Sequence, residues 1–256
     1  QGMDFVSAVS KILRYSPLAE PAGPTPAKRQ RSVFTLPTPY ENNGRVRTYL
    51  TGRGLSMDLL RMCIDAGLIY EDVRHNCVFV GFDRKKVPRY AMLRSSSPYS
   101  TFLGEVSGSD KRYSFSLSGI GETLYVFESA IDCLSFIELQ RMKTDELKPD
   151  NYLSLSGVYR PGEGKRTELP AALQEYLSIN EGIRHIALCL DNDDAGVKAA
   201  MAICAAMPEG YTTELLPPEV GKDYNEQLIL RKHIKTPVKT RGAQSARHHT
   251  MEEKAR

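Results

Sequence analysis

Short strand-like runs alternate along this chain with longer stretches of helical periodicity. Ile186–Leu190 is apolar throughout, stops at the acidic turn Asp191-Asn192-Asp193-Asp194, and gives way to a helix-like segment from Val197 to Met207. Leu124–Phe127 ends at Glu128 and is followed by a helix-like segment from Ala130 to Met142. Thr213–Leu216 is strand-like and is followed by Gly221-Lys222-Asp223-Tyr224-Asn225-Glu226. Apolar runs of this length predict buried parallel strands with helices over both faces. Their alternation with helices predicts an α/β domain with a mostly parallel sheet of about four strands. Upstream, Met57–Ala66 reads as a helix, and Cys77–Phe82 and Arg89–Leu93 read as strands. A small mixed α+β domain therefore precedes the parallel sheet.

In open α/β sheets, ligands sit beyond the carboxyl ends of the strands. Three successive junctions place acids at that edge. Asp191 and Asp193 are two residues apart, so in extended chain they point the same way. Two converging carboxylates repel unless a cation neutralises them. Oxygen ligands of this kind suit Mg²⁺ or Mn²⁺. Taken alone, the segment has a plainer reading, because Asp also caps helices and favours the positive end of the helix dipole. Phosphoryl transfer needs its reacting oxygens held in line and their charge offset, which carboxylate-bound metal ions can do. A glutamate whose pKa is raised by acidic neighbours could carry the proton.

Glu128 after one strand, Asp-x-Asp-x-Ala-Gly from Asp191, and Lys-Asp-x-Asn-Glu from Lys222 together resemble the Toprim domain. That domain is Rossmann-like and is shared by bacterial primases, topoisomerases and some nucleases. The resemblance covers about half of the chain, from near Glu122 to near Lys235. It implies Glu128 as general acid or base, with Asp191 and Asp193, and Glu128 beside them, at a Mg²⁺ or Mn²⁺ site. Asp132 and Asp223 match further acidic positions, and Lys222 and Asn225 either join the site or orient the last helix.

Arg45–Ser56, with its Tyr-Leu…Arg-Gly-Leu pattern, is similar to the N-terminal half of the bacterial primase core. It is closer still to a domain of unknown function that precedes Toprim in proteins of plasmids and conjugative transposons. Gly108–Phe115 carries most of that likeness. Lys111 and Arg112, beside Tyr113 and Phe115, fit a nucleic-acid-binding surface, with cations for phosphates and rings for bases. An ordinary basic strand with a core aromatic pair is the other reading. Gln1–Val9 resembles the tail of the zinc ribbon that precedes primase cores. No Cys-x-x-Cys pair accompanies it, so a zinc site in this chain is not expected.

The 256 residues allow one large domain or two small ones. Residues 1–31 read as a helix and a Pro-rich linker, 32–119 as the primase-core-like domain, 120–235 as Toprim, and 236–256 as a disordered basic tail. The formal net charge is +3; eight Lys or Arg against two Glu from Arg231 to Arg256 give that stretch +6 and leave −3 for the rest. No apolar run reaches the roughly 20 residues of a membrane span. The start does not read as a signal peptide, and five cysteines, an odd number, predict reduced thiols in a cytoplasm.

The resemblance implies primase-like, Mg²⁺-dependent nucleotidyl transfer on single-stranded DNA, serving replication or transfer of a mobile genetic element. The expected partners are single-stranded DNA, NTPs and a helicase or another mobile-element replication protein. A Toprim nuclease cleaving phosphodiesters with the same acids is the first alternative. A non-catalytic DNA-binding accessory protein is the second. A topoisomerase fits poorly, since a catalytic tyrosine domain and a strand gate need more chain.

Overall fold

A computed structural model describes residues 33–144, 150–159 and 168–235. The expected N-terminal helix, the Pro-rich linker and the basic tail lie outside the described residues. All the elements below belong to one unit that starts at Phe34.

The first part holds helices α1 (Gly44–Gly52) and α2 (Met57–Asp65) and strands β1 (Ile69–Glu71), β2 (Asn76–Phe82), β3 (Pro88–Ser95) and β4 (Leu103–Glu105). These strands form an antiparallel sheet in the order β1-β2-β3-β4. Strand β2 is buried along most of its length. Cys77 and Phe79 face one apolar cluster, and Val78 and Val80 face another. This is the alternation that a pleated strand imposes. Buried Glu71 holds the start of α1, accepting the N–H groups of Arg45 (3.0 Å) and Val46 (3.3 Å).

The second part holds β5 (Ser116–Leu117), β6 (Thr123–Phe127), α3 (Ala130–Thr144), β7 (Asn151–Ser154), α4 (Ala171–Ile179), β8 (His185–Leu188), α5 (Asp194–Ala206), β9 (Thr212–Leu215) and α6 (Tyr224–Lys235). The sheet order is β5-β7-β6-β8-β9. Strands β7, β6, β8 and β9 run parallel, and β5 is an antiparallel edge. The mostly parallel α/β sheet read from the sequence is therefore present, with a small mixed part before it.

Side-chain alternation explains how both faces are covered. Leu124, Val126, Ile186 and Leu188 pack with Leu173 and Leu177 of α4 and Ala199 and Ile203 of α5. Phe127, Ala187 and Cys189 face the other way, onto Leu134 and Ile137 of α3 and Tyr224 and Leu228 of α6. That second cluster also contains Val46, Leu50, Leu59, Leu60 and Phe79 from the first part. The two sheets thus share one core, and β5 joins the parallel sheet although it precedes residue 120. The five cysteines are thiols, four of them buried.

Candidate active site

The register of the parallel sheet brings three strand ends together. Tyr125 lies abreast of Ala187 and of Tyr152, so β6, β7 and β8 finish level. Glu128 follows β6 directly and is 7% exposed. Its Oε1 accepts the N–H of Asp191 at 3.3 Å, which ties the end of β6 to the turn after β8. Burial, and then repulsion from Asp191, push its carboxyl up to about 7.

Asp193 uses its two oxygens differently. Oδ1 accepts the N–H groups of Ala195 (3.0 Å) and Gly196 (2.9 Å), capping α5. The Gly196 bond, followed by Lys222, holds its carboxyl below the usual range. The capping role considered from the sequence is real, and it occupies one oxygen only. Helix α5 accordingly starts at Asp194 rather than Val197. A Cβ on Gly196 would stand 2.1 Å from the Asp191 carbonyl oxygen, so only glycine lets the helix begin this close to the turn.

Lys222 lies across the aspartate pair. Its Nζ is 3.4 Å from Asp191 Oδ2 and 3.1 Å from Asp193 Oδ2. Burial raises the Asp191 carboxyl, and the Lys222 ammonium works against that rise. Asp223 caps α6, its Oδ1 accepting the N–H of Glu226 at 2.7 Å.

Asp132 sits in the first turn of α3 and is 7% exposed. Its Oδ2 accepts the Ser129 hydroxyl at 2.5 Å, and its N–H donates back to Ser129 Oγ at 3.2 Å, a reciprocal cap. Its Oδ1 accepts the N–H of Asn225 at 3.1 Å. Burial, and then Asp223, raise its carboxyl to about 7. The Asn225 side chain is a hub. Oδ1 accepts Arg53 Nη1 (2.8 Å), and Nδ2 donates to the Arg53 carbonyl (2.8 Å) and to Ser135 Oγ (3.0 Å).

Arg53 is the residue that sequence reasoning left without a role. It joins the end of α1 to the acidic edge. Arg45, Tyr49 and Arg53 recur every four residues and so share one face of that helix. The Arg53 guanidinium lies 5.5 Å from the centre of the Tyr49 ring, and Arg94 Nε donates to the Tyr49 hydroxyl at 2.8 Å. The four-residue spacing was the available signal.

Lys111, Arg112 and Tyr113 form a single 3₁₀ turn rather than a strand. Asp110 accepts the N–H of Arg112 at 3.1 Å and pairs with its guanidinium at 2.6 Å. Lys111 pairs with Glu105 at 3.3 Å, and Arg112 lies 5.3 Å over the Tyr113 ring. Phe115 is 1% exposed and packs edge-on against Phe79, so burial removes it from any base-stacking role. The turn docks on β2 because position 81 is glycine; a Cβ there would meet the Tyr113 carbonyl oxygen at 1.6 Å. Arg112 and Tyr113 line an open groove of about 710 Å³ with Arg84, Lys86 and Tyr176. Just after the turn, the Ser114 hydroxyl donates to the Ser154 carbonyl at the end of β7, the strand beside β6.

Among the described residues, no three His, Cys, Asp or Glu side chains are gathered as a metal cluster. The donor chemistry nevertheless fits a hard divalent ion. Asp191 Oδ2 and Asp193 Oδ2 are carboxylate oxygens already sharing one cation, the Lys222 ammonium, with Glu128 bonded to the same turn.

Acids thus follow three of the parallel strands, β6, β8 and β9. Residues 125–228 match the family model described as Toprim-like, and this part of the chain is a Toprim-like domain. Residues 48–121 match a family described as a protein of unknown function (DUF3991), which forms the region before it. No curated protein matches the chain. Among solved structures, the primase fragment of the bacteriophage T7 primase-helicase protein is similar at 21% identity, covering 84% of this chain and 80% of that one, with a TM-score of 0.50. The E. coli primase catalytic core is 15% identical over 74% of this chain and 69% of that one, with a TM-score of 0.47. At 21% identity the T7 likeness concerns the fold, which this chain shares with that primase fragment.

Proposed function

We propose that the chain is a primase-like nucleotidyltransferase that joins NTPs on a single-stranded DNA template, with Mg²⁺ or Mn²⁺ held by Asp191 and Asp193. The observation that carries this reading is the convergence of Glu128, Asp191 and Asp193 at one sheet edge, with both aspartates turned onto one cation. The primase named in the T7 neighbour supports it. A bound divalent ion would offset the charge of a triphosphate during in-line displacement.

Asp191 and Asp193 present their Oδ2 atoms for that ion. Glu128, with its carboxyl near 7, can accept a proton at neutral pH. In this reading it takes the proton of the attacking hydroxyl as the new P–O bond forms and pyrophosphate leaves. Asp132 and Asp223 hold the helices that flank the edge, and Asn225 fixes α6 to α3 and to Arg53. Lys111, Arg112 and Tyr113 serve as a strand-guiding surface beside the groove; a phosphate there competes with Glu105 and Asp110. The cationic row on α1 offers a second approach, leading to Asn225. Service to a mobile element, alongside a helicase, completes the proposal.

The test is incubation of the protein with labelled NTPs, Mg²⁺ or Mn²⁺ and single-stranded DNA. New oligonucleotides that vanish with Asp191→Asn are expected. Cut template without new product would replace transfer by hydrolysis at the same acids.

A further inference from the structure

The geometry points to a distinct task for Lys222. We propose that its ammonium is the built-in counter-ion of the Asp191–Asp193 pair, displaced by the incoming divalent cation and thereby released to meet substrate phosphates. This rests on the metal reading above.

The competition follows from which oxygens are available. Asp193 Oδ1 is committed to the start of α5, so Oδ2 is the oxygen left for a cation. Lys222 already lies 3.1 Å from that atom and 3.4 Å from Asp191 Oδ2. An ammonium and a metal ion cannot both occupy the space between two oxygens of one turn.

The backbone of Lys222 keeps the side chain at this post. Its carbonyl accepts the N–H of Asn192 at 2.7 Å, and its N–H donates to Glu226 Oε2 at 2.7 Å. The loop is thus bonded to the acidic turn on one side and to α6 on the other. The side chain itself is 57% exposed, so its four-carbon stem can turn outward without unpacking anything. Displacement then costs the two ion pairs of a half-exposed ammonium, a small quantity next to the gain of a divalent ion on hard oxygen ligands.

The arrangement also answers a folding problem. Glu128, Asp132, Asp191, Asp193 and Asp223 all gather at this edge, and like charges disfavour one another. Lys222 offsets that repulsion until a metal arrives. Once displaced, it remains anchored beside the site as a point charge for phosphate. Cation and anionic substrate then favour each other's binding, because each stabilises the arrangement in which Lys222 has left the carboxylates.

Calorimetric titration of the full chain with Mn²⁺, without nucleotide and at low salt, tests the idea. Lys222→Gln should bind Mn²⁺ about threefold to tenfold more tightly than the wild type, the range expected when two competing ion pairs of this kind are removed. Lys222→Arg, which keeps the charge, should not gain affinity. In EDTA the Gln variant should melt below the wild type, and Mn²⁺ should close that gap. In turnover it should need less Mn²⁺ and more NTP, a split that a merely structural residue would not produce. Equal or weaker Mn²⁺ binding by the Gln variant overturns the role of Lys222 and leaves the metal site standing. The absence of Mn²⁺ binding from wild type and variants alike overturns the metal reading and this inference with it. If the Gln variant fails to fold, Lys222→Arg decides, since a tenfold gain there contradicts charge competition.

Discussion

Glu128 and Asp132 are buried carboxyls whose acid form the fold favours. Each holds its proton to about pH 7, against ordinary values of 4.5 and 3.8. Between those limits the folded chain binds more protons than the unfolded one, so its stability falls as pH rises from about 4 to about 7. The two groups stop contributing to that slope above about 7. The size of the shifts sets an upper bound on the fall of roughly 3 kcal/mol from Glu128 and roughly 4 kcal/mol from Asp132. Urea unfolding in EDTA at pH 5 and pH 7.5 should show the loss, and Glu128→Gln should show a smaller one. The same substitution should lower turnover by about 100- to 10,000-fold, the usual contribution of a proton-transfer group, with DNA binding retained. Full activity in the variant would reduce Glu128 to a strand-end residue. At this scale the acids were legible because carboxylates stand out where an apolar run stops. Arg53 was not, because its partner Asn225 lies 172 positions away and only the fold brings them together.

The elements that hold the site are three strand–turn–helix units, and each helix start uses an acid or a hydroxyl of the same edge. Asn225 crosslinks α6, α3 and the end of α1 from a position 2% exposed. Asn225→Ala would leave the part-buried Arg53 carbonyl and the buried Ser135 hydroxyl without that partner. It should cost about 2–4 kcal/mol in chemical denaturation, from the usual penalty per stranded group. Phe127→Ala, in the shared core, should cost about 3–5 kcal/mol. Central strands β6 and β8 were readable because burial on both faces makes them apolar throughout. Strand β7 was not, since Asn151-Tyr152-Leu153-Ser154 has polar ends that the fold buries. Its Asn151 side chain donates to the Gly121 carbonyl at 2.7 Å, a bond invisible before the chain is folded. The basic-strand alternative for Lys111–Tyr113 gives way to a turn because its docking against Gly81, some thirty positions earlier, is a contact that only the fold creates.

For the whole molecule, the shared core matters more than the boundary read near residue 120. Residues of α1, α2 and β2 pack into the cluster that also supports Glu128 and α6, so the first part cannot be treated as an appendage. No helix among the described residues is long and apolar enough to cross a membrane. If Lys111 and Arg112 guide a strand, affinity for single-stranded DNA should fall with salt by about −0.7 log units per phosphate contact. Changing both to Ala should make the slope shallower by roughly one to one and a half units, while Tyr113→Ala should weaken binding at constant slope. Equal slopes in wild type and double variant would move the strand to another surface, with the α1 row the next to test. What the account requires above all is that the acidic edge binds a divalent cation. Mn²⁺ titration of the wild type against the Asp191→Asn, Asp193→Asn double variant measures this directly. The wild type should bind and the folded variant should not; equal binding by the two would contradict the account.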